Sequence, residues 1–106
     1  MSSNRDIVPK WQSPADVDEV FDHATAASMA GVTSRVMLKY WKMGLIRPIG
    51  DTERYGIYFD QEAVYMTRQA ELMRQELSVD MRAATVIVKL RHQVESLKEE
   101  LRFWRR

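Results

Sequence analysis

The chain has 106 residues, a formal net charge of +1 and no cysteine, which predicts one small domain without disulfides or thiolate metal sites. Its two histidines, His23 and His92, do not have metal-ligand spacing, and no apolar run is long enough to span a membrane. The sequence therefore favours a cytoplasmic protein with no metal, no cofactor and no membrane contact.

The charges are segregated along the chain although they nearly cancel overall. Residues 33–56 carry five basic and two acidic side chains, whereas residues 57–80 carry two basic and five acidic ones. Contact with DNA is therefore expected from the basic block alone. Its basic residues are Arg35, Lys39, Lys42, Arg47 and Arg54.

The first 20 residues predict a mobile tail, because they combine two prolines, three serines and mixed charge. Trp11 is the candidate anchor of this tail to the domain. Residues 20–29 then predict a short first helix that is rich in alanine.

A helix-turn-helix is predicted within residues 24–48. Gly31 permits the reversal between the two helices, and Thr33 or Ser34 supplies a side-chain oxygen to cap the second one. That second helix, residues 34–43, places Val36, Met37, Tyr40 and Met43 on an inner face. Its outer face is basic and carries Arg35, Lys39 and Lys42.

Residues 48–56 predict a turn-rich loop, and residues 57–59 predict the return strand of a two-stranded hairpin. Asp60 is the expected cap of a third helix over residues 61–77. The buried positions predicted for that helix are Ala63, Val64, Met66, Ala70, Met73 and Leu77.

The last helix, capped by Ser78 or Asp80, carries a heptad seam that is typical of coiled coils. Folding back over the head would cover this seam only as far as residue 90, so self-association is predicted. The predicted dimerisation residues are Ile87, Leu90, Val94, Leu97, Leu101 and Trp104, preceded in the seam by Ala83.

The orientation of such a dimer is left open by the charges that flank the seam. A parallel pair places Glu100 opposite Arg105 of the second copy. An antiparallel pair instead brings together flanking residues that carry charges of the same sign. These flanking pairs are exposed and contribute only about 0–1 kcal/mol each.

The first half of the chain resembles MerR-type winged helix-turn-helix proteins. The resemblance implies a mostly α fold with a winged helix-turn-helix head at residues 21–80, a small two-stranded wing, and a long dimerisation helix at residues 81–106 that pairs antiparallel. It rests on Gly31-Val32, Arg35, Tyr40, Gly44-Leu45-Ile46 and Pro48.

The chain departs from that family pattern in two places. Residues 38–41 read Leu-Lys-Tyr-Trp where the family usually has Arg-Tyr-Tyr-Glu, and Gly56 stands at the usual wing arginine. Both departures remove arginines that would contact phosphate.

The second half is similar to the chaperone-modulator proteins of CbpM type, a branch of the same superfamily. This resemblance implies a regulator that binds and inhibits the J-domain of a DnaJ-like co-chaperone. The acidic candidates for that contact are Glu62, Glu71, Glu76 and Asp80, and the resemblance rests on Phe59-Asp60, Ala63-Val64, Arg68, Ala70, Leu72, Arg74, Glu76-Leu77, Asp80, Leu97-Lys98 and Glu100.

The alternative hypothesis is a dimeric transcriptional regulator that binds double-stranded DNA. Its major-groove candidates are Thr33, Ser34, Arg35, Lys39 and Lys42, and its backbone candidates are Arg54 and Tyr55. An enzyme is not expected, since no nucleophile–base pair or phosphate-binding loop stands in the sequence.

Overall fold

The computed structural model describes residues 19–105, so residues 1–18, with the candidate anchor Trp11, lie outside the described part. Five helices and one two-stranded sheet make up that part. In chain order they are β1 (Val20–Asp22), α1 (His23–Ala30), α2 (Ser34–Lys42), α3 (Thr52–Tyr55), β2 (Tyr58–Asp60), α4 (Gln61–Leu77) and α5 (Met81–Trp104).

The prediction that helix begins at residue 20 is wrong, because Val20–Asp22 is a strand. Asp22 ends the strand and caps α1, since its carboxylate accepts a hydrogen bond from the Thr25 amide at 2.8 Å. This amide also holds the pKa of the Asp22 carboxyl below its ordinary value. The capping aspartate therefore delays the helix by three residues.

The turn between α1 and α2 forms at the predicted glycine. Gly31 has φ = 79°, a left-handed conformation that other residues adopt at a cost. The Thr33 hydroxyl accepts a hydrogen bond from the Val36 amide at 3.1 Å, so Thr33 rather than Ser34 caps α2. The helix-turn-helix prediction is thereby confirmed in its turn and in its second helix.

The sheet does not have the predicted hairpin connection. β2 pairs antiparallel with β1, which precedes the first helix, and Phe21 lies opposite Phe59. The loop between α2 and β2 forms helix α3 instead of a strand, because the Asp51 carboxylate caps the amides of residues 53 and 54. The Ile49 amide closes this loop by donating to the Tyr58 carbonyl at 2.8 Å.

The core lies where α1, α2, β2 and α4 meet. Its largest fully buried side chains include Tyr40, Phe59 and Met37. Helix α4 has the predicted bounds and buries the predicted Ala63, Val64, Met66 and Ala70. Met73 is only half-buried, and the prediction for Leu77 is wrong, because the last turn of α4 extends past the core.

Helix α5 is capped by Asp80, whose carboxylate accepts the Ala83 amide at 2.8 Å. It packs on the head through Ala84, Thr85 and Val88, a face displaced from the predicted seam. Beyond residue 88 every described residue of α5 is exposed. The buried packing of α5 on the head therefore ends after its first two turns, and beyond them only polar side chains such as Arg91 and His92 reach α4.

The described part is mostly helical with a small two-stranded sheet and a long terminal helix, which confirms the predicted fold class. None of its helices is both long and apolar enough to cross a membrane.

Candidate binding surfaces

Helix α2 presents a basic outer face. Arg35, Lys39 and Lys42 follow one another at intervals of one helical turn, and all three side chains are exposed. Within residues 19–105 none of them forms an ion pair. The structure thus brings the three predicted cations together on one surface, which is called the α2 basic face below.

The two hydroxyl candidates at the start of α2 have other partners. Thr33 is the helix cap, and the Ser34 hydroxyl lies 3.1 Å from Nδ1 of His23 at the start of α1. Both hydroxyls therefore hold the helix-turn-helix together in the isolated chain.

The hydrophobic residues that depart from the family pattern point inward. Leu38 and Trp41 are both half-buried and pack against the core. The Trp41 ring meets Phe59 edge to face, with centroids 6.4 Å apart. Both side chains therefore pack in the core, and Leu38 does so at the position where the family usually has an arginine that would contact phosphate.

The remaining DNA candidates lie on α3. Arg54 is exposed, and its guanidinium carbon is 5.5 Å from the centre of the Tyr55 ring, within cation–π range. Gly56, which ends α3, has φ = 90°. A glycine at this position meets the backbone requirement of the turn and leaves no side chain for DNA.

Glu71, one of the four acidic candidates, is turned into the protein. Its Oε2 accepts a hydrogen bond from the Tyr40 hydroxyl at 2.6 Å, and Nη1 of Arg74 donates to both carboxylate oxygens at 3.1 Å. Burial and this carboxylate raise the pKa of the Tyr40 hydroxyl well above its ordinary value. The bond joins α2 to α4, so the main role of Glu71 in the single chain is to position α2, the helix that carries the basic face.

Replacing Tyr40 with phenylalanine is expected to lower the free energy of unfolding by about 1–2 kcal/mol at neutral pH, because the bond to a carboxylate is removed. Since the folded-state pKa of Tyr40 is raised, wild-type stability is complete below the unfolded pKa of about 10 and falls above it. The variant lacks this contribution and should lose less stability between about pH 9 and pH 11. Urea titrations across that range test this, with the exposed Tyr65→Phe as matched control. Equal losses in wild type and Tyr40→Phe would contradict it.

The other acidic candidates do not form one patch. Glu62 pairs with His92 of α5 at 3.3 Å, and Asp80 caps the same helix. Glu71 follows Glu62 by nine positions, which places it about 180° around the helix. Glu76 is exposed and forms no ion pair within the described residues.

Sequence reasoning missed two exposed apolar residues on the outer side of α4. Tyr65 is 55% and Leu72 is 40% exposed, and with Glu76 they follow one side of the helix at intervals of seven and four. Arg68 lies on the same side and donates to the Met29 carbonyl at 2.6 Å. We call Tyr65, Leu72 and Glu76 the α4 outer face. The sequence indicates this face because Tyr65 and Leu72 are large apolar residues that do not fit the spacing of the buried positions in α4.

The heptad seam of α5 is an uncovered apolar stripe in the described part of the chain. Leu90, Val94, Leu97, Leu101 and Trp104 are all about half exposed or more, and only Ile87 is half-buried. Val86 and Phe103 are also exposed although they lie outside the seam. Exposed apolar surfaces of this extent usually mark sites of interaction with another molecule.

No group of three or more metal-ligating side chains occurs in the part of the chain that the structure covers. Comparison with protein families matches residues 23–106 to a family described as MerR HTH family regulatory protein. Comparison with curated proteins finds no match.

Proposed function

The chain belongs to the MerR helix-turn-helix family of regulatory proteins, and on this basis we propose that it regulates by binding another macromolecule and has no catalytic activity. The partner that we propose is the J-domain of a DnaJ-like co-chaperone. Binding would lower the stimulation of the Hsp70-type ATPase by that co-chaperone.

The observation that carries this proposal is the α4 outer face. Tyr65 and Leu72 present apolar surface beside the exposed carboxylate of Glu76, a combination that suits an amphipathic helix with basic flanks. The inward packing of Leu38 and Trp41 adds support, because α2 then offers fewer groups to DNA than its relatives do. The other three acidic candidates, Glu62, Glu71 and Asp80, form contacts within the chain. We therefore limit the proposed J-domain contact to the α4 outer face.

We expect purified J-domain from the same organism to bind the full chain in titration calorimetry. Leu72→Ala should weaken binding because it removes apolar surface from the interface, and Glu76→Lys should mainly slow association, an effect that added salt should reproduce. Glu53→Lys is the matched control, since it reverses an exposed carboxylate on α3. Absence of binding at micromolar concentrations, or equal effects of Glu53→Lys and Glu76→Lys, would contradict the proposal.

The α2 basic face favours a second candidate, which is binding to double-stranded DNA. Its three exposed cations lie on the helix that enters the major groove in helix-turn-helix proteins. This candidate competes with the first for the physiological role, and both are compatible with a dimer.

If DNA binds there, the double variant Arg35→Ala, Lys39→Ala should bind more weakly in gel-shift assays. The slope of log affinity against log salt should also fall by about 0.9 for each phosphate that the variant no longer neutralises. The double variant Lys98→Ala, Arg105→Ala removes the same charge from α5 and is the matched control. Weakened binding in that control alone would place the DNA surface on the last helix.

We further propose that the seam of α5 pairs with a second copy in antiparallel orientation. The resemblance to MerR-type proteins supports this choice, because it implies a dimerisation helix that pairs antiparallel, and the chain belongs to that family. Arg91, one of the basic residues that flank the seam, donates to the Met73 sulfur at 3.8 Å, so its charge is directed toward α4 and repels a second copy less.

A further inference from the structure

A cleft of about 430 Å³ opens between the loop that follows α2 and the middle of α5. Its size is within the range of pockets that bind small organic molecules. The apolar part of its lining comes from the buried core residues Leu45, Ile46, Ala63 and Met66 and from the half-buried Pro48 and Ile49.

The rim of the cleft carries both acidic and basic side chains, but the acidic ones are engaged. Glu62 pairs with His92 at 3.3 Å, and Asp60 accepts the Ala63 amide at 3.0 Å as the cap of α4. The basic side chains, Arg47 and Lys89, are exposed and form no ion pair among residues 19–105. The two cations are therefore the charged side chains of the rim that have no ion pair or hydrogen bond in the described part of the chain, whereas each carboxylate has a polar neighbour.

Gly44 brings Lys89 close to the end of α2. A Cβ atom at Gly44 would lie 3.6 Å from the Lys89 ammonium nitrogen, so the lysine side chain extends over this glycine. The cleft is thus lined by the segment that follows α2 and by the helix that carries the seam. An occupant would contact both.

We propose that this cleft binds a small amphipathic carboxylate, with its apolar chain on the core side chains and its carboxylate at the rim formed by Lys89 and Arg47. Apolar burial supplies most of the binding free energy, and the cations select the sign of the head group. The site is separate from the α2 basic face and from the α4 outer face. It therefore stands independently of which macromolecule the protein regulates.

Titration of the full chain with octanoate, octylammonium and acetate tests the site, with methyl NMR signals of Ala63 and Met66 as reporters. Octanoate should shift these signals, acetate should not, because it lacks the apolar chain, and octylammonium should bind more weakly. Lys89→Gln should weaken octanoate binding about fivefold, the upper range for an exposed ion pair. Lys42→Gln removes an equivalent charge from α2 and should leave the affinity unchanged.

Four results would overturn the proposal. One is equal affinity for octanoate and octylammonium, and another is unchanged octanoate affinity in Lys89→Gln. The third is a response confined to seam residues such as Leu101, which would mean adsorption on the exposed stripe. The fourth concerns Leu97→Glu, which is designed to be monomeric, so that no second copy can shield the cleft. If octanoate leaves the Ala63 and Met66 signals of this variant unshifted, the proposal is also overturned.

Discussion

Replacing Leu97 with glutamate is expected to convert the protein from a dimer into a monomer. Leu97 lies in the middle of the exposed seam and is 63% exposed in the single chain. Burying one leucine side chain stabilises by about 1.5–3 kcal/mol, and each dimer contains two copies. The variant also places a carboxylate in the interface, so the dissociation constant should rise at least about a hundredfold.

Sedimentation equilibrium at micromolar concentration measures this change. Ser96→Glu is the matched control, because it adds the same carboxylate one position away and outside the seam. It should remain dimeric. A wild-type chain that sediments as a monomer, or a Leu97→Glu variant that stays dimeric, would show that another surface mediates assembly.

The orientation of the pair can be measured by disulfide crosslinking of introduced cysteines, because the chain has no cysteine of its own. An antiparallel pair that is centred on the seam places Val94 opposite Leu97 of the second copy, so a mixture of Val94→Cys and Leu97→Cys should form a mixed disulfide on oxidation. A parallel pair brings Val94 against itself. Efficient crosslinking of Val94→Cys alone would therefore rule out the antiparallel proposal.

Replacing Phe59 with alanine is expected to cause a large loss of stability in the head. Phe59 is fully buried, lies in β2, and meets Trp41 edge to face. Truncating a buried phenylalanine costs about 3–5 kcal/mol, a large fraction of the roughly 5–15 kcal/mol that stabilises most domains. In a domain of this size each kcal/mol lowers the midpoint of thermal unfolding by about 4–8 °C.

Thermal unfolding followed by circular dichroism tests this, with all proteins at one concentration, because dimerisation raises the apparent stability. Tyr65→Ala is the control, since it truncates an aromatic residue of α4 that is 55% exposed. Its midpoint should change little. If both variants lose similar stability, the sheet and its contact with α2 do not support the core as the structure indicates.

The local elements could be predicted from the sequence because their determinants are local. Gly31 provides the left-handed turn, Asp60 provides the cap of α4, and the spacing of apolar residues sets the bounds of that helix. The basic face of α2 follows from the same periodicity. Each of these features depends on residues a few positions apart.

The features that sequence reasoning missed depend on residues far apart in the chain. β2 pairs with a strand that lies before the first helix, so no turn signal between neighbouring segments could indicate it. The bond from Tyr40 to Glu71 spans 31 positions and removes one carboxylate from the predicted acidic surface. Periodicity shows which side of a helix is polar, but it does not show what faces that side.

The sequence by itself determined the family pattern, the helix-turn-helix and a seam too long for the small head to cover, because each is written in residues at fixed spacing. Only the tertiary structure decided which charges are engaged within the chain. It assigned Glu71 to Tyr40, Glu62 to His92 and Asp80 to a helix cap, and it left the α2 basic face unpaired within the described residues. The physical reason is that a charged group binds whichever partner the fold brings within hydrogen-bond distance, and that neighbour is set by packing rather than by sequence position.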